Sequence, residues 1–482
     1  MGNNNCNDDC GNFNGVDTPM KNKIRIGCGA GFSGDRIEPA IVLAEKGELD
    51  YLVLECLAER TIALANKRKM ADPTKGYDPL LERRIETLLP HLVKNNICLI
   101  TNMGAANPIE GAKKIIEIAQ KQGLNIKVAA VSGDDVYESE LLKEKSEKSD
   151  NFQEFGNEKL GIELIHQHLS LFTHHLSPLI SANAYLGIGG ILEALETDAQ
   201  IIITGRVADP SLFLAPMIHE FGWKTDDYDL LGKGTIIGHL MECAGQITGG
   251  YFADSIKKPV QNMENLGHPF VDVFTDGSAI ISKVEGTGGI INLQTAKEQL
   301  LYEVINPNEY YTPDVIADFT TVKLEEIAQN QVRVTGGSGK EKPKNYKVSV
   351  GYKAFWQGEG EISYAGPYAF ERAKLAGEIV EKRLKPQFEE FQVDYIGVNS
   401  VFENRRLSEV EAPISEVRLR IAAKAQTQAE ATLVGEEVEA LYTNGPAGGG
   451  GARKYVNEVI GIVSVLVNRS KIKPIVTYFK SR

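Results

Sequence analysis

Cysteine is scarce in this chain: Cys6, Cys10, Cys28, Cys56, Cys98 and Cys243 are dispersed over 482 residues. So few and so scattered, they exclude a disulfide scaffold; with no signal-peptide pattern ahead of them, they point to a reducing, cytoplasmic setting. No run of 18 or more apolar residues occurs, so no membrane-spanning helix is expected. Positive charge is in deficit, with 52 Lys and Arg against 65 Asp and Glu and a net charge of −13. That balance repels polyanions, and no nucleic-acid partner is expected. What is abundant is glycine, 47 residues in all, without the three-residue repeat of collagen. The usual share is about 7%, so where the surplus falls becomes the question. Hydrophobic residues at 42% and charged residues at 24% are those of an ordinary globular chain, long enough for two or three domains.

The first 22 residues are rich in Asn, Gly and Asp and read as a disordered tail. Met1-Gly2 resembles an acylation signal, but Cys6 stands where that signal needs Ser or Thr, so N-terminal acylation is the minority reading. Cys6 and Cys10 lack the second pair of a metal site, and no metal is expected. Over 23–253, short apolar runs (Ile24 to Ile26, Tyr51 to Leu54, Ile97 to Thr101, Ile126 to Val131, Leu179 to Ala182, Ile201 to Thr204) alternate with helical patterns. The alternation predicts an α/β fold with a doubly wound, mostly parallel N-terminal sheet of Rossmann-like type. Over 254–482 longer β-like runs predict a second α/β or α+β domain. The charged stretch 138–159 reads as an exposed insertion, and Gly336-Gly337-Ser338-Gly339 as an exposed hairpin. His166, His168, His174 and His175 match no zinc spacing and read as an exposed helix.

Twenty of the glycines lie in seven short segments, 27–34, 102–108, 187–190, 204–210, 245–250, 285–289 and 444–451. Several follow predicted strands, and in an open parallel sheet such loops converge on a ligand cleft. The first segment lets backbone N–H groups approach an anion, nominating Gly29, Gly31, Ser33, Asp35 and Arg36 as a cradle. Its spacing is neither a dinucleotide fingerprint nor a P-loop, although Glu55 stands where a ribose-binding carboxylate would. Asp35 also reads as a helix cap. Asn102 and Asn107 follow the third strand, and Arg206 and Asp209 the sixth; Asn107 and Asp209 suit helix starts, whereas Arg206 suits a bidentate grip on a carboxylate or phosphate. Near the C-terminus Asn444, Gly449 and Arg453 suggest a second anion-wrapping loop.

The acid/base candidate is a helix around Gly238 to Gly245. His239, Glu242 and Cys243 fall at i, i+3 and i+4, on one face, where they suit proton transfer, a Cys/His nucleophile or a metal; structural burial is the competing reading.

Taken in order, GCGAGFSGDR, LDYLVLECLAE, ICLITNMGAANP, ISANAYLG, TGRVADPSLFLAP, GHLMECAGQITGGYFAD, EGTGG, GEGEISYAGP, IGVNS and LYTNGPAGGGG resemble the acyclic terpene utilisation (AtuA) family from about Lys23 onward. The tail and the histidine cluster depart from that pattern. The resemblance implies a role near the breakdown of branched terpenes such as citronellol and geraniol through CoA thioesters. It implies no assigned catalytic residues. Family members carry, or are encoded beside, a small ferredoxin-fold-like module absent from this sequence, so a separate small subunit is an expected partner. Homo-oligomerisation is expected too. The leading expectation is a catabolic enzyme of hydratase, lyase or isomerase type, acting on a small anionic branched carboxylate or its thioester. A nicotinamide-dependent oxidoreductase using NAD and a non-catalytic binding subunit are the alternatives.

Overall fold

The computed structural model describes residues 21–137, 179–401 and 414–481. The acylation signal with Cys6 and Cys10, the charged stretch 138–159 and the histidine cluster lie outside the described residues.

Five short apolar runs form parallel strands: β1 (Lys23–Ala30), β2 (Tyr51–Leu54), β3 (Cys98–Thr101), β4 (Lys127–Ser132) and β6 (Ile201–Thr204). Their side order is β1-β2-β3-β6-β4, every adjacent pair parallel. Their centres are apolar because both faces are covered. On one face lie α1 (Glu38–Lys46), α3 (Leu81–Lys94) and α4 (Pro108–Lys121); α2 (Glu59–Ala71) falls between α1 and α3 in the chain. α3 shows the logic: Leu81, Ile85, Leu88, Leu89 and Leu92 recur at helical spacing and are all buried, each such side chain contributing roughly 1.5–3 kcal/mol. The opposite face is covered by α5 (Gly189–Leu195), α6 (Ser211–Phe221) and α7 (Tyr228–Glu242).

The sheet does not stop there. Antiparallel strands β7 (Pro269–Phe274), β8 (Ala279–Lys283), β12 (Gln331–Thr335) and β11 (Lys323–Ala328) extend it beyond β1, and β18 (Ile475–Lys480) closes the β4 edge. The result is a mixed α/β fold whose central sheet has ten strands, with ten α-helices among the described residues. The expected mostly parallel sheet is thus mixed, because strands from beyond Asp254 pair with both of its edges.

β5 (Leu179–Ala184) departs from expectation. Its run suits a strand, but it pairs antiparallel with β14 (Asn345–Ala365) and stands outside the parallel set. β14 carries a second sheet of order β15-β16-β14-β17, with β15 (Phe391–Ile396), β16 (Glu416–Ala425) and β17 (Gly450–Asn468). α9 (Ala369–Leu384) and α10 (Gln428–Asn444) pack on one of its faces. Its other face carries an ion-pair row, Arg418 with Glu361 at 3.0 Å and Arg420 with Asp394 at 2.8 Å. β9 (Tyr310–Tyr311), β10 (Ile316–Asp318) and β13 (Ser338–Lys340) make a small third sheet, and α8 (Leu293–Leu301) packs beside α7. The Gly336–Gly339 stretch therefore enters a sheet instead of an exposed hairpin: a Cβ on Gly339 would lie 2.2 Å from the Tyr228 carbonyl oxygen.

Candidate functional site

A cavity of about 1000 Å³ opens beyond the carboxyl ends of the parallel strands. The turn after β1 contributes Gly31, Phe32 and Asp35, the turn after β2 Glu55, the first residue of α2 Glu59, and the turn after β6 Ala208, Asp209 and Pro210. α7 ends on it with Glu242 and Cys243, and Gly245, Gln246 and Gly250 follow. Of the seven glycine segments, three line this wall: 27–34, 204–210 and 245–250. The sequence left unmarked the remaining wall, 302–313 and 343–347, together with Tyr185 and His268. Its residues mix aromatic, aliphatic and scattered charged side chains, with no pattern that separates a cavity lining from ordinary core and loop.

The glycines serve protein–protein closeness. A Cβ on Gly31 would sit 2.4 Å from the carbonyl carbon of Cys243, so the β1 turn and the end of α7 touch backbone to backbone only because Gly31 lacks a side chain. The anion cradle is occupied from within: Gly31 N–H donates to Asp35 Oδ2 at 2.7 Å, so Asp35 does not cap a helix and takes the donor on which the phosphate and nicotinamide readings rely. α1 starts later, at Glu38, with Ile37 as the residue before its first turn. Gly29 lies within β1, where Leu54 and Ala40 crowd its Cα. The carbonyls of Ser33 and Asp35 accept from the buried Arg84, and Arg36 reaches out to the Glu264 carbonyl.

Asn102 is buried beneath the wall, accepting from Cys56 N–H at 2.7 Å and donating to Glu55 Oε1 at 2.8 Å. Asn107 stands before α4, but its amide donates to the Pro73 and Lys75 carbonyls and caps nothing. Arg206 is 1% exposed and four of its five N–H groups are engaged, with the carbonyls of Leu57 and Val207 and with Asp209, while Tyr185 stacks on it at 4.4 Å. Such a guanidinium fixes the turn after β6 and has no fork left for a ligand. Asn444, Gly449 and Arg453 lie at the end of α10 and the start of β17, away from this cavity; Gly449 packs on Ile362 and Tyr364.

At the α7 face His239 Nδ1 is 3.0 Å from Glu242 Oε1. Tyr310 and Phe319 enclose the imidazole at 5.4 Å each, and the Gln299 amide donates to the His239 carbonyl. Burial pushes the histidine down to about 4 and raises the Glu242 carboxyl well above its usual range, helped by the charges of Asp209 and Glu303. Burial thus disfavours the charged form of both groups, which stand side by side on one turn of α7. Glu242 Oε2 is buried with no hydrogen-bond partner. Burial also raises the Cys243 thiol, with the Glu242 charge adding to it, so it stays protonated. A raised thiol that contacts no imidazole does not suit a Cys/His nucleophile, and His239 and Glu242 are the two titratable side chains that meet on this face. Among the described residues no group of three or more ligating side chains is arranged to hold a metal.

The cavity is acidic. Seven carboxyl side chains, of Asp35, Glu55, Glu59, Asp209, Glu242, Glu303 and Glu309, face two lysines, Lys344 and Lys347. Burial raises Glu55 and Asp209 as well, whereas Glu59 is held at about 2: burial opposes ionisation there, but Lys347 at 3.0 Å and the Tyr185 hydroxyl outweigh it. Lys347 pairs with Glu59 on the lining, and Ile305, Tyr310, Tyr311 and Leu466 give it apolar surface.

His268 also lines the cavity and is 5% exposed. It precedes β7, in which Phe270 pairs with Gly27 of β1, so the histidine reaches Gly29 two residues on; its Nδ1 is 3.1 Å from the Gly29 carbonyl oxygen. No helix or cysteine pattern flagged it.

No helix among the described residues is long and apolar enough to cross a membrane. No curated protein and no solved structure matches the chain. A family model matches residues 24–478, nearly the whole length: the chain belongs to the acyclic terpene utilisation family, AtuA.

Proposed function

We propose that this chain is an enzyme of acyclic terpene or branched-carboxylate breakdown that performs acid–base chemistry, of hydratase, lyase or isomerase type, on an acyl thioester. The observation that carries the reading is Glu242: a carboxyl at a cavity wall whose proton affinity is raised by burial, one oxygen held by His239 Nδ1 and the other unpartnered. A neutral buried acid beside an apolar lining can give a proton to a leaving oxygen or to a carbon at pH 7, where an ordinary glutamate has none to give. In this reading the branched acyl chain lies against Ile305, Tyr310, Tyr311 and Leu466. The anionic carrier lies toward Lys344 and Lys347, since elsewhere carboxyl groups dominate the lining.

Geranoyl-CoA and citronelloyl-CoA incubated with the enzyme in D2O should gain solvent deuterium, read by mass spectrometry. Glu242→Gln keeps the shape and should slow uptake by at least about 100-fold. Equal uptake with and without that substitution would overturn the assignment. A second reading, that a separate small subunit completes the site, is favoured by apolar side chains at the mouth, Ile305 at 91% and Tyr251 at 88% exposed. It predicts deuterium uptake only after such a subunit is added.

A further inference from the structure

We propose that His268 is the base that works with the Glu242 acid in this cavity. A carbonyl oxygen can only accept a hydrogen bond, so Nδ1, at 3.1 Å from the Gly29 oxygen, must carry the proton. In the neutral ring Nε2 then bears the lone pair. Burial lowers the histidine, so the neutral form is the resting one. The backbone carbonyl thus does for His268 what an orienting carboxylate does in other proton-transfer sites, without adding a charge to a cavity already rich in carboxyl groups.

Position supports the pairing. A Cβ on Gly245 would be 3.4 Å from His268 Nε2, so this nitrogen faces the segment that follows Glu242 and Cys243. The same stretch of β1 and its turn holds both partners: the Gly29 carbonyl anchors the imidazole, and Gly31 packs on the Cys243 backbone one residue after the acid. A basic nitrogen and an acidic carboxyl are thereby fixed by one rigid strand end, on the lining of one cavity.

The step rests on the acyl-thioester reading above. His268 Nε2 takes the α-proton of a β-hydroxyacyl thioester, and the Cα–H electron pair becomes the new Cα=Cβ bond. The Cβ–O bond breaks with its pair on oxygen, which takes the Glu242 proton and leaves as water. Hydration of an α,β-unsaturated thioester is the same step reversed, and the proton on His268 returns to Glu242 through solvent.

The test separates the ring's two nitrogens. His268→Asn keeps a donor for the Gly29 carbonyl and removes Nε2; it should melt with the wild type yet hydrate geranoyl-CoA at least about 100-fold more slowly. His268→Ala should be slowed as much and be rescued by added imidazole. A His268→Asn enzyme of wild-type rate would overturn the inference, as would a loss cured by Asn but not by imidazole. Loss of activity in Glu242→Gln alongside would show that the function reading survives such a failure. If the wild type turns over neither thioester, the function reading fails by itself, and diethyl pyrocarbonate then decides the tautomer. Acylation of His268 at Nε2, found by peptide mapping at pH 7, supports the accessible lone pair, and an unmodified His268 overturns it.

Discussion

Asp134 and Glu242 are both buried carboxyl groups whose proton affinity is raised by burial, and the fold treats them in opposite ways. Asp134 Oδ2 accepts from Asn183 Nδ2 at 2.8 Å and from Arg206 N–H at 3.1 Å, and Asn183 passes the chain on to Asn66 at 3.0 Å. Even Gly205 yields to it, since a Cβ there would meet Asp134 Oδ1 at 2.3 Å. This network joins the end of β4 to β5, α2 and the turn after β6. Glu242 has one partner, His239, and an oxygen with none. A polar group buried for structure is saturated, because each unmade hydrogen bond costs stability. One buried for chemistry keeps a valence for the substrate.

The contrast can be broken in three measurements. Asp134→Ala leaves two buried donors unpaired and should cost roughly 3–4 kcal/mol in denaturant unfolding; a loss below about 1 kcal/mol would make the network incidental. Next comes pH. Asp134 moves from 3.8 up to about 6 in the folded chain, which therefore holds the proton more tightly than the unfolded chain. The stability it contributes is full below about pH 3.8 and is lost as pH rises through about 6, at most about 3 kcal/mol. Asp134→Asn should abolish that slope when the two unfolding curves are compared from pH 4 to 7; parallel curves would refute it. The smallest effect belongs to Glu242→Gln, which should change stability by less than about 1 kcal/mol, since an already unpartnered oxygen has no bond to lose. A larger loss would make Glu242 a structural group like Asp134.

Much of the framework was legible because periodicity is a local property. The strands Tyr51–Leu54 and Ile201–Thr204 coincide with the apolar runs, end to end. Pairing was not legible. Nothing in Leu179–Ala184 announces that its partner is β14, more than 160 residues on, and nothing in Ile475–Lys480 points to β4. At the site, His239 and Glu242 were readable because helical spacing fixes which side chains meet. The anion-binding role expected of Arg206 failed as geometry because a sequence shows a guanidinium but not the carbonyls that occupy it. His268 was invisible for the converse reason: its importance lies in a bond to Gly29, 239 residues away.

The last strand sets an order of events. β18 covers the β4 edge from the far end of the chain, with Ile475 opposite Ser132 and Lys480 opposite Lys127. During synthesis the parallel strands are complete long before that partner has left the ribosome, and β4 waits with a free row of backbone donors and acceptors. Until Lys480 is in place the β4 edge has no partner of its own, and the ten-strand sheet cannot be complete.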